Sequence, residues 1–130
     1  MGIELKIYSV SKQEMLLGTI VVLDGRVYAD KSALLNNEVV LHRLLDDITK
    51  VCGLTKVNEC THAFQPQGYT ICHVLAESHV SIHTWPECGT FALDVYSCKN
   101  DLNEAGIKRV IERHLDGLKE CKCQKMVRAI

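Results

Sequence analysis

Two periods of hydrophobic spacing alternate along the chain, and each change of period marks a new element. Leu5, Ile7 and Ser9 alternate with Lys6 and Tyr8, which predicts a strand over 4–10. A β-branched run over 19–23 predicts a second strand, with Asp24-Gly25 as the turn that ends it. The period then lengthens. Leu41, Leu44, Leu45, Ile48 and Cys52 fall on one helical stripe, in a helix opened by Asp30 or Ser32 as cap and stopped by Gly53. Strand spacing returns over 54–61, followed by a Gln65-Pro-Gln-Gly68 turn and a continuous apolar run over 69–76 that suits a central strand. From His79 to Trp85 the alternation is clean: Val80 and Ile82 point one way, His79, Ser81 and His83 the other. Pro86-Glu-Cys-Gly89 turns the chain into another strand, 90–98. Asn103 caps a second helix with the stripe Ile107, Val110, Ile111, His114, Leu115 and Leu118, and a strand over 122–129 follows.

Strands, helix, meandering strands, helix, strand is an α+β order. It predicts a two-layer sandwich, a mostly antiparallel sheet with helices on one face. No repeat, linker or low-complexity segment divides residues 1–130, so one domain is expected. Strands that look apolar on both faces, 69–76 above all, leave one face uncovered by only two helices. Packing of sheet against sheet in a homodimer is the expected remedy.

Composition narrows the function classes. Hydrophobic residues are 47% and charged residues 24%, with a formal net charge of −1, which gives no nucleic-acid footprint. No apolar run approaches a membrane span, and M-G-I-E-L-K lacks the layout of a secretion signal. Seven scattered cysteines, an odd number, read as free thiols in a reducing cytoplasm.

The stretch L-A-E-S-H-V-S-I-H-T-W-P-E, 75–87, carries the candidate chemistry, because so many polar side chains in a strand need partners or a task. Three readings compete. Taken singly, each residue fits a hydrogen-bonded sheet position. As a metal site, His79 and His83 share a face and Cys88 or Cys98 could add a thiolate. Yet no C-x-x-C or H-E-x-x-H is present, and Cys121-x-Cys123 is too close-set for a usual zinc pair, so no metal is expected. As a nucleophile, Ser78 lacks a G-x-S-x-G elbow, but its hydroxyl lies within reach of the Glu77 carbonyl. Attack there would turn the amide into an ester. Loss of the Cα hydrogen would then split the chain and leave dehydroalanine, which hydrolyses to a pyruvoyl group. His83 is the candidate proton carrier.

A-E-S-H-V-S-I-H-T-W-P-E, followed by F-A-L-D-V-Y-S-C, resembles the prokaryotic S-adenosylmethionine decarboxylases, which are self-processing and pyruvoyl-dependent. The resemblance is dense from Asn58 to Asn100. The family's N-terminal H-L-x-x-D/E-x-Y segment has no clear counterpart; 19–30 stands nearest to it.

The resemblance implies cleavage between Glu77 and Ser78, giving a β chain of 1–77 and an α chain of 78–130 whose Ser78 becomes the pyruvoyl group and forms a Schiff base with substrate. It implies that His83 assists processing, with Thr70 in support where the family often has serine. It assigns Cys98 as proton donor in turnover, Phe64 to the adenine and Glu87 to the ribose hydroxyls. S-adenosylmethionine is the implied substrate, its product the aminopropyl donor for spermidine, with no pyridoxal phosphate needed because the pyruvoyl ketone is itself the electron sink. The alternatives are a pyruvoyl-dependent arginine or ornithine decarboxylase of the same family, or an unprocessed non-catalytic homologue.

Overall fold

The computed structural model describes residues 14–99 and 101–130; the strand expected over 4–10 lies outside them. Six strands form one sheet: β1 (Leu16–Arg26), β2 (Lys56–Ala63), β3 (Tyr69–Leu75), β4 (Ser78–Trp85), β5 (Thr90–Ser97) and β6 (Glu120–Ala129), in spatial order β2-β3-β4-β5-β1-β6. Every adjacent pair is antiparallel. Helices α1 (Glu38–Val51) and α2 (Glu104–His114) supply the second layer. The two-layer α+β sandwich expected from the spacing is the observed architecture.

Alternation along each strand decides what the core contains. Val21 and Leu23 of β1, Ile71 and Leu75 of β3, Val80 and Ile82 of β4, and Phe91, Leu93 and Val95 of β5 are buried, and they meet Leu41, Leu44, Leu45 and Ile48 of α1 and Ile107, Val110 and Ile111 of α2. Each such side chain withdrawn from water contributes about 1.5–3 kcal/mol. The opposite face carries half-buried Ile20, Val22, Ala92, Asp94, Tyr96, His79 and Ser81, and among the described residues no helix covers it.

Two local expectations are corrected. The helix does not open at Asp30 or Ser32: 29–36 forms 3-10 turns, and α1 begins after Asn37, whose side chain accepts a hydrogen bond from the Val40 N–H at 3.1 Å. Asparagine competes with its own backbone inside a helix and is favoured as a cap. Asp24-Gly25 is not a turn but the interior of β1, paired with Ala92 and Phe91. A Cβ at Gly25 would lie 2.5 Å from the Phe91 ring, so glycine here makes room for a core aromatic crossing the strand. Asn103 caps α2 as expected, accepting from the Gly106 N–H at 2.9 Å.

The helices are clasped across their exposed edge. Asp47 of α1 accepts from His114 Nε2 at 2.7 Å and from Arg113 at 3.3 Å. The His114 hydrogen bond, with smaller help from Arg113 and Lys50, holds the Asp47 carboxyl below the usual carboxylate range. In the core, burial pushes the His73 imidazole below its ordinary value.

A carboxyl whose folded pKa is depressed stabilises the fold above its unfolded pKa, and that contribution disappears as pH falls through the folded value. Urea unfolding at a series of pH values should therefore show stability declining once pH drops into the carboxylate range, about 4 and below. Asp47→Asn should be less stable than the parent at neutral pH and show a shallower acid decline. An unchanged acid slope in the variant would remove Asp47 from this role.

Candidate functional site

Strands β3 and β4 are joined by two residues, Ala76 and Glu77, so that Leu75 pairs directly with Ser78. The connection is tight, and neither of its residues lies in the left-handed region. Ser78 also pairs with Ser97 of β5, and one step on, the Cys98 N–H donates to the Glu77 carbonyl at 3.0 Å. That oxygen is the one a Ser78 attack would charge. A backbone N–H aimed at it is the kind of donor that stabilises a developing oxyanion. The Ser78 Oγ itself is buried and has no hydrogen-bond partner, and neither has Glu77 Oε1. The other Glu77 oxygen lies 3.6 Å from Lys99 Nζ.

Cys98 opens on the exposed side, its Sγ 3.9 Å from the Tyr96 hydroxyl, which in turn donates to the Leu17 carbonyl at 2.5 Å. Arg128 stacks over the Tyr96 ring at 5.0 Å and His79 lies 5.9 Å from it. In the middle of the same face Asp94 accepts from Ser81 and lies 3.4 Å from His79 Nε2. Sequence reasoning did not single out Asp94 or Tyr96. The signal was there, since F-A-L-D-V-Y-S-C alternates and sends Asp94, Tyr96 and Cys98 to one side.

At the far end of β4 lies a second group. His83 Nδ1 and Thr70 Oγ1 are 3.0 Å apart, a cross-strand pair set by the β3–β4 register. They line a cleft of about 470 Å³ together with Phe64, Tyr69, Trp85 and Glu87. This is the size of an ordinary small-molecule site. The 65–68 loop forms its rim. Gly68, with φ +100°, brings the rim within 2.9 Å of the Thr84 carbonyl measured from where a Cβ would stand, so a side chain there would push the loop away. Asn36 accepts from the Gly68 N–H at 2.9 Å and ties the loop down.

The candidate residues thus fall into two groups. Glu77, Ser78 and Cys98 meet at one end of β4; Phe64, Thr70, His83 and Glu87 meet at the other. His83 is five residues along the strand from Ser78, about 16 Å at 3.3 Å per residue, and alternation sends it to the other face. Within one chain they do not touch.

The sequence profile of the S-adenosylmethionine decarboxylase family matches residues 22–129. The chain belongs to that family. Among its relatives, the S-adenosylmethionine decarboxylase proenzyme of Methanococcus aeolicus is 49% identical over 74 residues, covering 57% of this chain and 62% of the relative. That of Methanococcus maripaludis is 37% identical over 99 residues, covering 76% and 80%. The matched stretch therefore spans less than two thirds of the first relative and more of the second. The crystal structure of the adenosylmethionine decarboxylase from Aquifex aeolicus superposes with a TM-score of 0.74 at 34% identity, covering 88% of this chain and 92% of that one.

Proposed function

We propose that the chain is a self-processing S-adenosylmethionine decarboxylase proenzyme whose cofactor is a pyruvoyl group made from Ser78. One observation carries the reading: the Glu77 carbonyl receives the Cys98 N–H while the adjacent Ser78 hydroxyl is buried without a partner. The nucleophile has no competing bond to break, and the carbonyl already has a donor for the charge it would acquire. Attack by Ser78 Oγ on the Glu77 carbonyl carbon breaks the peptide C–N bond and gives an ester with a free amine. Removal of the Ser78 Cα proton expels the Glu77 carboxylate, and hydrolysis of the resulting enamine releases ammonia and leaves the ketone. The products are 1–77 and 78–130. A pyruvoyl carbonyl supplies the electron sink that decarboxylation of an amino acid requires.

The remaining roles follow from position. Cys98 stands beside the new chain end, exposed, as a proton donor. Phe64, Tyr69 and Trp85 give the cleft an aromatic wall suited to an adenine ring and a sulfonium, and Glu87 can accept two ribose hydroxyls. Arginine or ornithine would leave that wall without use. Free thiols at all seven cysteines accord with a reducing cytoplasm. No helix among the described residues is long and apolar enough to cross a membrane.

His83 and Thr70 serve the cleavage only if a second copy brings them to Ser78. A two-fold pairing of open sheet faces, with its axis near the middle of β4, sets the Ser78 end of one chain against the His83 end of the partner. The uncovered Ile20, Val22 and Ala92 support such a contact. In this reading each site takes its ketone and Cys98 from one chain and its nucleoside cleft from the other.

Mass spectrometry of the purified protein should find two fragments, the smaller with a carbonyl-reactive N terminus, and carbon dioxide release should be greatest with S-adenosylmethionine. Ser78→Ala should remain whole and inactive; activity in that variant would end the proposal. Cys98→Ala should cleave at least partly yet lose about 100-fold or more in turnover, the scale of a missing general acid. The composite site has its own test. His83→Ala should stay uncut alone and be cut when co-expressed with Ser78→Ala, and failure to complement in demonstrated mixed dimers would return the chemistry to a single chain.

A further inference from the structure

His73 occupies a core position. It follows Ile71 and precedes Leu75 on the helix-facing side of β3, and it is 0% exposed. An imidazole set among aliphatic side chains must have both nitrogens accounted for. Its Nε2 is 2.8 Å from Nδ1 of His42 on α1, with the rings stacked at 5.0 Å. Its Nδ1 makes no hydrogen bond and lies 3.5 Å from Asp46 Oδ1. The outer nitrogen of His42, Nε2, is 2.9 Å from Thr61 Oγ1 and 3.5 Å from Glu38. Glu59 of β2 closes the group, its oxygens 3.7 Å from His42 Nδ1 and 3.8 Å from His73 Nε2.

The outer nitrogen of each histidine faces an oxygen acceptor, and its best use there is as an N–H donor. The inner nitrogens are within hydrogen-bond distance at 2.8 Å, one donating to the other in the metal-free chain; with both outer nitrogens protonated they would instead present two lone pairs that a cation can share. This is the arrangement of metal-bound histidines, whose distal N–H is given to a carboxylate or another oxygen. The inner nitrogens are 2.8 Å apart, Glu59 Oε2 lies 3.7 Å from His42 Nδ1 and Glu59 Oε1 lies 3.8 Å from His73 Nε2, so one ligand atom from each residue falls within 4.8 Å of the other two. Tetrahedral zinc with bonds of 2.0–2.1 Å separates its ligands by about 3.3 Å, so the two nitrogens need to part by roughly half an ångström and one Glu59 oxygen to close on both. Lys56 contacts Glu59 and lies 3.2 Å from Asp46; it is partly exposed and can swing outward as an incoming cation replaces its charge.

We propose that His42, His73 and Glu59 form a binding site for a divalent transition-metal ion of the zinc class, with Asp46 and Thr61 orienting the two imidazoles from outside. Two nitrogens and one carboxylate suit zinc rather than the hard cations magnesium and calcium. A water would complete the fourth position on the exposed side. The ion would pin α1 to β2 and β3, and its presence does not depend on the decarboxylase reading. From the sequence alone no metal is expected. The three ligands come from three separate elements and match no short ligand spacing.

Equilibrium dialysis of the full chain against Zn2+ should leave one ion per chain and raise the melting temperature. Glu59→Gln should weaken binding by about tenfold or more and His42→Ala by about 100-fold or more, since loss of the groups that merely orient metal ligands already costs about 10–100-fold. Co2+ in place of zinc should give ligand-field bands without thiolate charge transfer, which separates this site from the seven cysteines. The same results are expected in Ser78→Ala, so failure here and failure of self-cleavage are read separately. Absence of retained zinc, a thiolate band, or unchanged affinity in the variants would overturn the proposal. If His42→Ala does not fold, the exposed Glu59→Gln decides alone.

Discussion

The register of β4 between β3 and β5 is the constraint on which the rest depends. A slip of one residue would send Val80, Ile82 and Thr84 to the open face and His79, Ser81 and His83 into the core. The observed register is therefore fixed by burial, independently of any chemistry. It carries the functional geometry with it. Leu75, Ser78 and Ser97 form one row, the two-residue connection follows, and the Cys98 N–H arrives at the Glu77 carbonyl as the next rung of the ladder. At the other end the same register sets Thr70 beside His83.

The core was legible where a single period governs. The alternation in 79–85 and the helical stripe at 41, 44, 45 and 48 each name one face, and burial follows that face. Legibility failed where a residue's reason lies elsewhere in the chain. Gly25 reads as a turn until Phe91 is seen to occupy the space its side chain would take. Ser32 looks as good a cap as Asn37, and only the 3-10 turns ahead of α1 decide between them. The candidate site was legible as a list of residues through the long motif. Its division along β4 was not, because sequence nearness of Ser78 and His83 conceals the length of an extended strand. His73 carries no signal in the sequence because its partners, His42 and Glu59, come from other elements.

The two faces of the sheet carry different burdens. The helix-facing side is close-packed and mostly aliphatic, with Phe91, His73, Thr84 and Ser97 among its exceptions. The open side is a grid of Asp94, Ser81, His79 and Tyr96 interleaved with Ile20, Val22 and Ala92. Such a surface is too apolar to be purely solvated and too polar to be a core. It suits the two-fold contact proposed above. Covering it with helices would bury the groups proposed to act.

Buried polar atoms without hydrogen bonds cost about 1–3 kcal/mol each, so a folded chain keeps them only where something compensates. Here they include Ser78 Oγ, Glu77 Oε1 and His73 Nδ1. In the proposed processing step the first is consumed when the hydroxyl oxygen becomes the ester and then leaves as part of a new carboxylate. The second belongs to a residue that becomes a chain terminus, free to turn toward water. A satisfied serine would have to surrender a hydrogen bond before attacking, adding its energy to the barrier. An unsatisfied one begins nearer the transition state. In that proposal the unpartnered Ser78 hydroxyl favours conversion by raising the ground state of the uncut chain, while the Cys98 N–H lowers the charged state that follows. On the proposed scheme the cost would be carried only until the bond is broken, with the ladder around it held by core packing on both sides of the break.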